Sequence, residues 1–567
     1  MSQKKPTPLD IPSVDTTSRG QQDHQQDDEF GWSSYGGGNN KEFQEPQTPQ
    51  TPISPSMIHF LPDYVRPHQE KKSRVREEAD SGKMERTRLG GLDNLFLSIE
   101  RPDHLMTVAS IWTFKDLLDM TLVFRDISYL LDRFPRFRQV PCGGGTLSTP
   151  IWVEDRRFEV ERHVKERKFP PGSRSMAHLQ RYAARWVAKP FHPRRPLWEM
   201  RVIQGLDVGG DGSQEGRGVG SAVIIRAHHC LADGQSFIQC LLQSTRESPG
   251  EVSRDEERGG FHQEGIGARE FLPAKESIST SSYPHGDRGG IGACVIMPIM
   301  WIIHLTLWLG QILPQFLHHG LGGAYATLVS LGRMALFQRR SMHYPGPRVR
   351  ERNLAWSEAC SFDHLKRIRR MVPEATINDI MIAVMTKAFQ VVLENRGELH
   401  DTQAALYIPI SLRDPRDRSM TNVVGGDYAF LPMDRDATTA SLIRWTHKRM
   451  NQVKESWIAR LSYAFAQVIF ALPCLINYGI VEYLMNKGHA VLTNVPGPGH
   501  TIYYAGQAIE RYIVIPPQLS QGSLGIGLIS YNGTVSLSIL GDRTPYQDDL
   551  AQEICREFSI QLFRMAL

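Results

Sequence analysis

Ser221-Ala222-Val223-Ile224-Ile225-Arg226-Ala227-His228-His229-Cys230-Leu231-Ala232-Asp233-Gly234-Gln235-Ser236-Phe237 is the stretch on which the reading of the fold turns. Its first part is a β-branched apolar run, short enough for a buried strand. Two histidines stand at the end of that run, and an Asp-Gly pair follows four residues after His229. From Gly234 onward the sequence GQSFIQCLLQS takes on helical spacing. The segment therefore reads as strand, tight loop, helix. Upstream, Leu105 to Phe114 is rich in strand formers, and Leu117, Leu118, Val123, Phe124, Ile127, Leu130 and Leu131 form a helical stripe. Ile151 to Asp155 is a short strand, and Met176, Leu179, Tyr182, Ala183 and Trp186 make a second stripe. Downstream, Thr376 to Glu398 reads as a helix with a Thr376/Asp379 capping box and Gly397 near its end. Ala404 to Leu412, Asp427 to Met433 and His489 to Val495 read as strands. Leu524 to Leu540 reads as a hairpin turning at Asn532-Gly533, a type I′ signal. Strands alternating with helices on both sides of the motif give an α/β fold with layered, mixed sheets.

The chain has 567 residues, enough for two cores at roughly 150 residues per domain. Its 65 basic and 61 acidic residues leave a net charge of +4, which argues against a nucleic-acid binder and its basic stripe. The seven cysteines, Cys142, Cys230, Cys240, Cys294, Cys360, Cys474 and Cys555, are scattered without a CxxC pair. Neither a disulfide framework nor a zinc site is expected, and the reading is a reducing compartment or a membrane protein facing one. The polar start, MSQKKPTPLDIPSVDTT, lacks the apolar region of a secretory signal. Residues 1–85 read as a disordered tail, being rich in Gln, Asp, Pro, Ser and Gly. In that tail Thr48, Thr51 and Ser54 each precede a proline. The glycines of GSLGIG (Gly522 to Gly527) open no helix, which excludes a dinucleotide fingerprint. No metal site is expected; His318-His319 lies in an apolar stretch without an acid at ligand spacing.

The histidine pair carries the chemistry. Imidazole has an unperturbed pKa near 6.5 and suits removal of a proton from an attacking hydroxyl. His228-His229-Cys230-Leu231-Ala232-Asp233-Gly234 has the form HHxxxDG, and this resembles the signature of the CoA-dependent acyltransferases. Leu89 to Val108, Pro135 to Gln139 (PRFRQ), Arg195 to Glu199 (RPLWE), Asn378-Asp379, Pro409 to Arg413 (PISLR), Asn494 to Pro498 (NVPGP) and Gly527 to Gly533 follow in order. Together they resemble the wax ester synthase/diacylglycerol acyltransferase branch over residues 89–245 and 345–567. The resemblance implies two similar α/β domains with a tunnel between them, acyl-CoA as co-substrate with no other cofactor, and a long-chain alcohol or diacylglycerol as acceptor. It implies His229 as general base, His228 as a shaper of the loop, and Asp233 as a structural carboxylate paired with an arginine and the loop backbone. Gly234 belongs to the same loop. Asn378 reads either as a polar group near the reacting centre or as a residue of a helix start. Pro196 and Trp198 read as a wedge against the core, and Asn494 as part of a rigid strand exit that could line the tunnel.

The expected domains are 89–245 and 346–567, joined by a flexible linker with an apolar segment within 246–345. From Gly289 to Gly332 no Asp, Glu, Lys or Arg occurs. A helical run of that length, about 66 Å, is enough for two passes of a bilayer core of about 30 Å. Both halves must share one active site, so the expectation is a membrane-embedded hairpin, over about 291–332, flanked by Arg288 and by Arg333, Arg339 and Arg340. Leu461 to Val481 is expected to be a buried or membrane-contacting helix. Membrane lipid is thus an expected partner and nucleic acid is not. The expected location is the endoplasmic reticulum membrane or a lipid droplet, with the active site facing the cytoplasm. Two rival readings remain: a condensation-type acyltransferase of the same superfamily, and a non-catalytic lipid-binding homologue.

Overall fold

The computed structural model describes residues 87–143, 149–208, 218–248, 320–342, 346–414, 416–417, 419–469, 477–544 and 547–567. The tail 1–85, most of the 246–290 insertion and the apolar run up to 319 lie outside the described residues. The longer strands, in chain order, are β1 (Thr107–Phe114), β2 (Val164–Lys168), β3 (Trp198–Val208), β4 (Gly218–His228), β5 (Arg352–Trp356), β6 (Gln403–Ser411), β7 (Val424–Pro432), β8 (Ala490–Pro496), β9 (Arg511–Ile515), β10 (Leu524–Tyr531) and β11 (Thr534–Asp542). The longer helices that bear on the site are α1 (Gly91–Ile99), α2 (Met120–Arg133), α3 (Met176–Val187), α4 (Gly234–Leu242), α5 (Gly320–Leu336), α6 (Ile377–Asn395), α7 (Thr439–Glu455), α8 (Ile458–Ile469), α9 (Asn477–Met485) and α10 (Leu550–Ala566).

Two mixed sheets carry the molecule. The first has the order β9-β1-β4-β3-β2, antiparallel except for the β3/β2 pair. The second runs β7-β6-β8-β10-β11-β5, with parallel pairs at β6/β8 and β8/β10. Every residue of β1 is buried, so this strand is covered on both faces. Its even positions Val108, Trp112 and Phe114 enter one core with Val123, Ile127 and Leu130 of α2. Its odd positions Ala109 and Ile111 enter another with Leu179, Ala183 and Val187 of α3. That second core also takes in Leu354 and Trp356 of β5 and Leu540 of β11, so the halves share apolar packing. The strand β9 comes from beyond residue 346 yet forms an edge of the first sheet, with Ile513 opposite Ile111. A cut at residue 346 therefore does not separate the sheets, because the apolar Tyr512-Ile513-Val514-Ile515 completes the neighbouring sheet rather than its own.

Local signals operate where the sequence placed them. Thr376 and Asp379 form a reciprocal capping box at the start of α6. That helix ends in a Schellman arrangement, Glu398 N–H to Leu393 O at 2.8 Å and Gly397 N–H to Glu394 O at 2.9 Å, with Gly397 at φ +69°. Asn532 and Gly533 turn the β10/β11 hairpin with φ of 45° and 73°, as a type I′ turn requires.

Residues 320–332 were expected to form part of a membrane hairpin; in the structure they belong to α5, which packs against the second half. Thr327 Oγ1 accepts the Trp457 N–H at 3.0 Å, and Ser330 donates to Asp427. Tyr325, Leu328 and Leu336 on the same helix remain exposed, at 65%, 69% and 87%. Among the described residues no helix is long and apolar enough to cross a membrane. The Leu461–Val481 segment falls on α8 and α9, with 470–476 outside the described residues. Helix α8 approaches α1 closely because Gly91 has no side chain: a Cβ there would lie 2.5 Å from the Gln467 Cα. The Gly91 N–H donates to Gln467 Oε1 at 2.9 Å, which fixes α1 above the end of β4.

Candidate active site

β4 delivers the two histidines and α4 receives the chain after them. His228 N–H donates to Leu197 O and His229 N–H to Met106 O, both at 2.8 Å, so the loop hangs from the entry to β3 and the segment before β1. Asp233 caps α4: its Oδ1 accepts the Ser236 N–H and hydroxyl, each at 2.8 Å. Its Oδ2 accepts the Val423 N–H at 3.0 Å and the Arg413 guanidinium at 3.3 Å. Asp233 thus ties the start of α4 to the 411–423 segment of the other half. Gly234 is the first residue of α4, and a Cβ there would meet Thr493 at an ordinary 3.8 Å.

The two imidazoles have different surroundings. His228 is buried; its Nε2 sits 2.8 Å from Glu100 and its Nδ1 accepts the Cys230 N–H at 3.0 Å. Burial opposes charge on this ring, but the Glu100 carboxylate outweighs it and moves the pKa up. Both ring nitrogens are engaged, which suits a loop-holding role. His229 is partly exposed, and Phe96 of α1 packs over it with ring centroids 4.0 Å apart. Its Nδ1 lies 3.2 Å from Asn422 Oδ1. The Asn422 amide nitrogen donates to Asp93 Oδ1 at 2.7 Å and to His229 O at 2.9 Å. With that nitrogen spent as a donor, Asn422 Oδ1 can only accept, so Nδ1 of His229 carries the proton and Nε2 carries the lone pair. Burial lowers the His229 pKa to about 4, against the opposing pull of the Asp233 charge. The ring is therefore neutral and ready to accept a proton at physiological pH.

A second layer holds Asn422. Asp93 is 2% exposed and paired with Arg136 at 2.9 Å, and Arg136 also donates to Leu231 O. Burial raises the Asp93 pKa, partly offset by Arg136 and Asn422. Asn422 escaped the sequence reading altogether, since it belongs to no quoted motif. Phe96, Asp93, Arg136 and Arg413 lay inside the stretches LGGLDNLF, PRFRQ and PISLR without an assigned role.

The remaining sequence-selected residues fall into two groups. Asn494 Nδ2 donates to Asn378 Oδ1 at 2.6 Å, joining β8 to the start of α6, and neighbouring Thr493 faces Gly234. No hydrogen bond links either asparagine to His229 among the described residues. Trp198 is fully buried, donates to Phe137 O at 2.7 Å and stacks on His163, with Pro196 accepting its N–H at 2.9 Å. Both are core residues at the entry to β3. Among the described residues no cluster of three or more His, Cys, Asp or Glu could hold a metal, and His318-His319 lies outside them.

A neutral histidine at the end of a sheet strand, within His228-His229-Cys230-Leu231-Ala232-Asp233-Gly234 and facing residues of the other half, is an arrangement that fits the two-lobed acyltransferases of the HHxxxDG class. Residues 89–275 match the wax ester synthase/diacylglycerol acyltransferase catalytic domain, and residues 420–565 match the C-terminal domain of the same family. The chain belongs to that family and is an O-acyltransferase. A Mycobacterium tuberculosis protein provisionally named a diacylglycerol O-acyltransferase is 25% identical over 496 residues, covering 80% of this chain and 85% of that one. The fold is similar to that of the wax ester synthase/diacylglycerol acyltransferase from Marinobacter aquaeolei VT8, at TM-score 0.52 and 18% identity, over 85% of this chain and 100% of that one. It is also similar to the starter condensation domain of rhizomide synthetase in complex with C8-CoA, at TM-score 0.50 and 10% identity, over 85% and 95%.

Proposed function

We propose that this protein transfers a long-chain acyl group from acyl-CoA to the hydroxyl of a long-chain alcohol or a diacylglycerol, with His229 as the general base. The observation that carries the reading is the hydrogen-bond chain Asp93–Asn422–His229, which leaves Nε2 as the basic nitrogen. Nε2 takes the hydroxyl proton as the oxygen attacks the thioester carbonyl. The tetrahedral intermediate collapses, the C–S bond breaks, and the same nitrogen returns the proton to the departing thiolate. No covalent enzyme intermediate is needed. General-base help is worth roughly 10²- to 10⁴-fold, and positioning and oxyanion stabilisation supply the rest. The Asn378/Asn494 pair is the candidate for polar stabilisation beside the loop.

The CoA complex of the rhizomide synthetase neighbour supports an acyl-CoA donor, and the name of the mycobacterial relative supports a diacylglycerol acceptor. The exposed Tyr325, Leu328 and Leu336 of α5 support contact with membrane lipid. They fit a location at the endoplasmic reticulum membrane or a lipid droplet. The test is a radiolabelled palmitoyl-CoA assay on membranes containing the protein, with hexadecanol or diacylglycerol as acceptor. Ester formation should fall by roughly a hundredfold or more in His229→Ala. Folded wild type that forms no ester with either acceptor would overturn the reading.

A further inference from the structure

A cavity of about 340 Å³ lies between the two halves, within the size range of small-molecule sites. Ile99, Arg101 and His104 line one side; Arg339, Met485 and Ser520 are among those on the other. Its lining lies near in sequence to residues that touch His229: Ile99 is one helical turn from Phe96, which covers His229, and His104 is two residues from Met106, which binds the His229 N–H.

The cavity's cations are unequally matched among the described residues. Arg101 and Arg348 share the carboxylates of Asp103 and Glu482. Arg339 has no carboxylate within ion-pair distance among the described residues. It donates to Gly488 O at 2.9 Å and Gln521 O at 3.0 Å, two of the five N–H bonds a guanidinium can direct. The acids that act on it from farther away are otherwise committed. Asp401 holds His489 and the Arg340 and Ser341 N–H groups, and Asp542 pairs with Arg352 at 3.0 Å. A second, independent feature is Ser520, 7% exposed, whose hydroxyl has no hydrogen-bond partner among the described residues. A buried unpaired hydroxyl and an uncompensated guanidinium both cost stability. A multiply charged, acceptor-rich group such as phosphate would satisfy both.

We infer that this cavity is a phosphate subsite, with Arg339 and Ser520 as its ligands, and that it holds a phosphate of the CoA part of the acyl donor while the thioester reaches His229. The CoA assignment rests on the acyltransferase reading above. A second source of the same chemistry is an anionic phospholipid, since Leu336 and Tyr483 at the ends of α5 and α9 are exposed.

The experiment uses the full-length protein in detergent and compares wild type with Ser520→Ala and Arg339→Lys. Ser520→Ala removes a buried hydroxyl that has no partner among the described residues, so its melting temperature should equal or exceed the wild-type value. Both variants should raise the Kd for CoA and the KM for palmitoyl-CoA about tenfold, as loss of a hydrogen bond to a charged group does, with kcat little changed. The KM for palmitoyl-pantetheine, which has no phosphate, should not move. An equal rise for both thioesters would overturn the subsite. Binding to phosphatidylcholine vesicles doped with phosphatidic acid separates the sources. Loss of vesicle binding with unchanged CoA binding upholds a phosphate site and overturns its assignment to CoA; no effect on either overturns the inference. Wild type that binds CoA but makes no ester sinks the acyltransfer reading and leaves the subsite standing.

Discussion

Replacing Asn422 by alanine isolates the hydrogen bond that sets the tautomer of His229. Asn422 is 3% exposed and makes three contacts: His229 Nδ1 at 3.2 Å, His229 O at 2.9 Å and Asp93 Oδ1 at 2.7 Å. The first is a neutral hydrogen bond worth about 1 kcal/mol. Its loss lets the proton move to Nε2, the nitrogen that must be bare to act as a base. An energy of that size is about a fivefold change in population, so kcat should fall about fivefold while KM for palmitoyl-CoA changes little. Asp93 also loses a donor; a hydrogen bond to a charged group contributes about 1.5–3 kcal/mol. Stability should therefore drop by about 2 kcal/mol, most of it arising at Asp93 and not at the histidine. The assay pairs steady-state kinetics with urea unfolding and with nitrogen NMR of the His229 ring, which distinguishes Nδ1–H from Nε2–H. A folded Asn422→Ala protein with wild-type kcat and an unchanged ring tautomer would falsify the assignment.

Other outcomes follow from the same geometry. Because burial holds the His229 pKa near 4, the acid limb of kcat/KM should lie close to pH 4, with no loss between pH 8 and 6; a limb centred near 6.5 would contradict the site. The folded protein also refuses protons on His104, His163 and His489, all lowered chiefly by burial. At these four histidines the unfolded chain binds more protons than the folded one from about pH 6.5 downward, an effect opposed at two buried carboxylates, Asp93 and Asp427, whose pKa burial raises, so the melting temperature should fall as pH drops toward 4. Arg413→Ala strips a buried partner from Asp233, where both side chains are at most 5% exposed. Denaturant titration should show a loss of about 3 kcal/mol or more, and a loss below 1 kcal/mol would mean the pair is not what holds the halves together. In Gly425→Ala a Cβ would sit 1.8 Å from Ala459 O. The clash pushes α8 off β7, so expression of folded protein should fall sharply, and a wild-type melting temperature would show that the two elements are looser than drawn.

The sequence alone determined what depends on neighbours a few residues apart. The strand ending in His228-His229, the capping of α4 by Asp233, the Thr376/Asp379 box and the Asn532-Gly533 turn all join groups within about one turn of chain. Their residue types therefore announce the geometry. The family resemblance extended that reading to two α/β halves and to His229. It did not reveal that β9 would cross to the first sheet, since Tyr512-Ile513-Val514-Ile515 has the same pattern whichever edge it joins. Nor did the uncharged run from 289 to 332 disclose that its last part would pack as α5. Apolar periodicity signals burial but does not name the partner surface.

Tertiary structure decided the site's chemistry. His229 and Asn422 are 193 residues apart, Asn422 and Asp93 are 329 apart, and Asp233 meets Arg413 across 180. Nothing in local composition links such pairs. Whether His229 presents a basic nitrogen, and whether Arg339 lacks a counter-charge, depends on which side chains converge once the halves close. Those contacts exist only in three dimensions, because the groups that fix a proton or leave a charge uncompensated come from strands and helices with no sequence proximity.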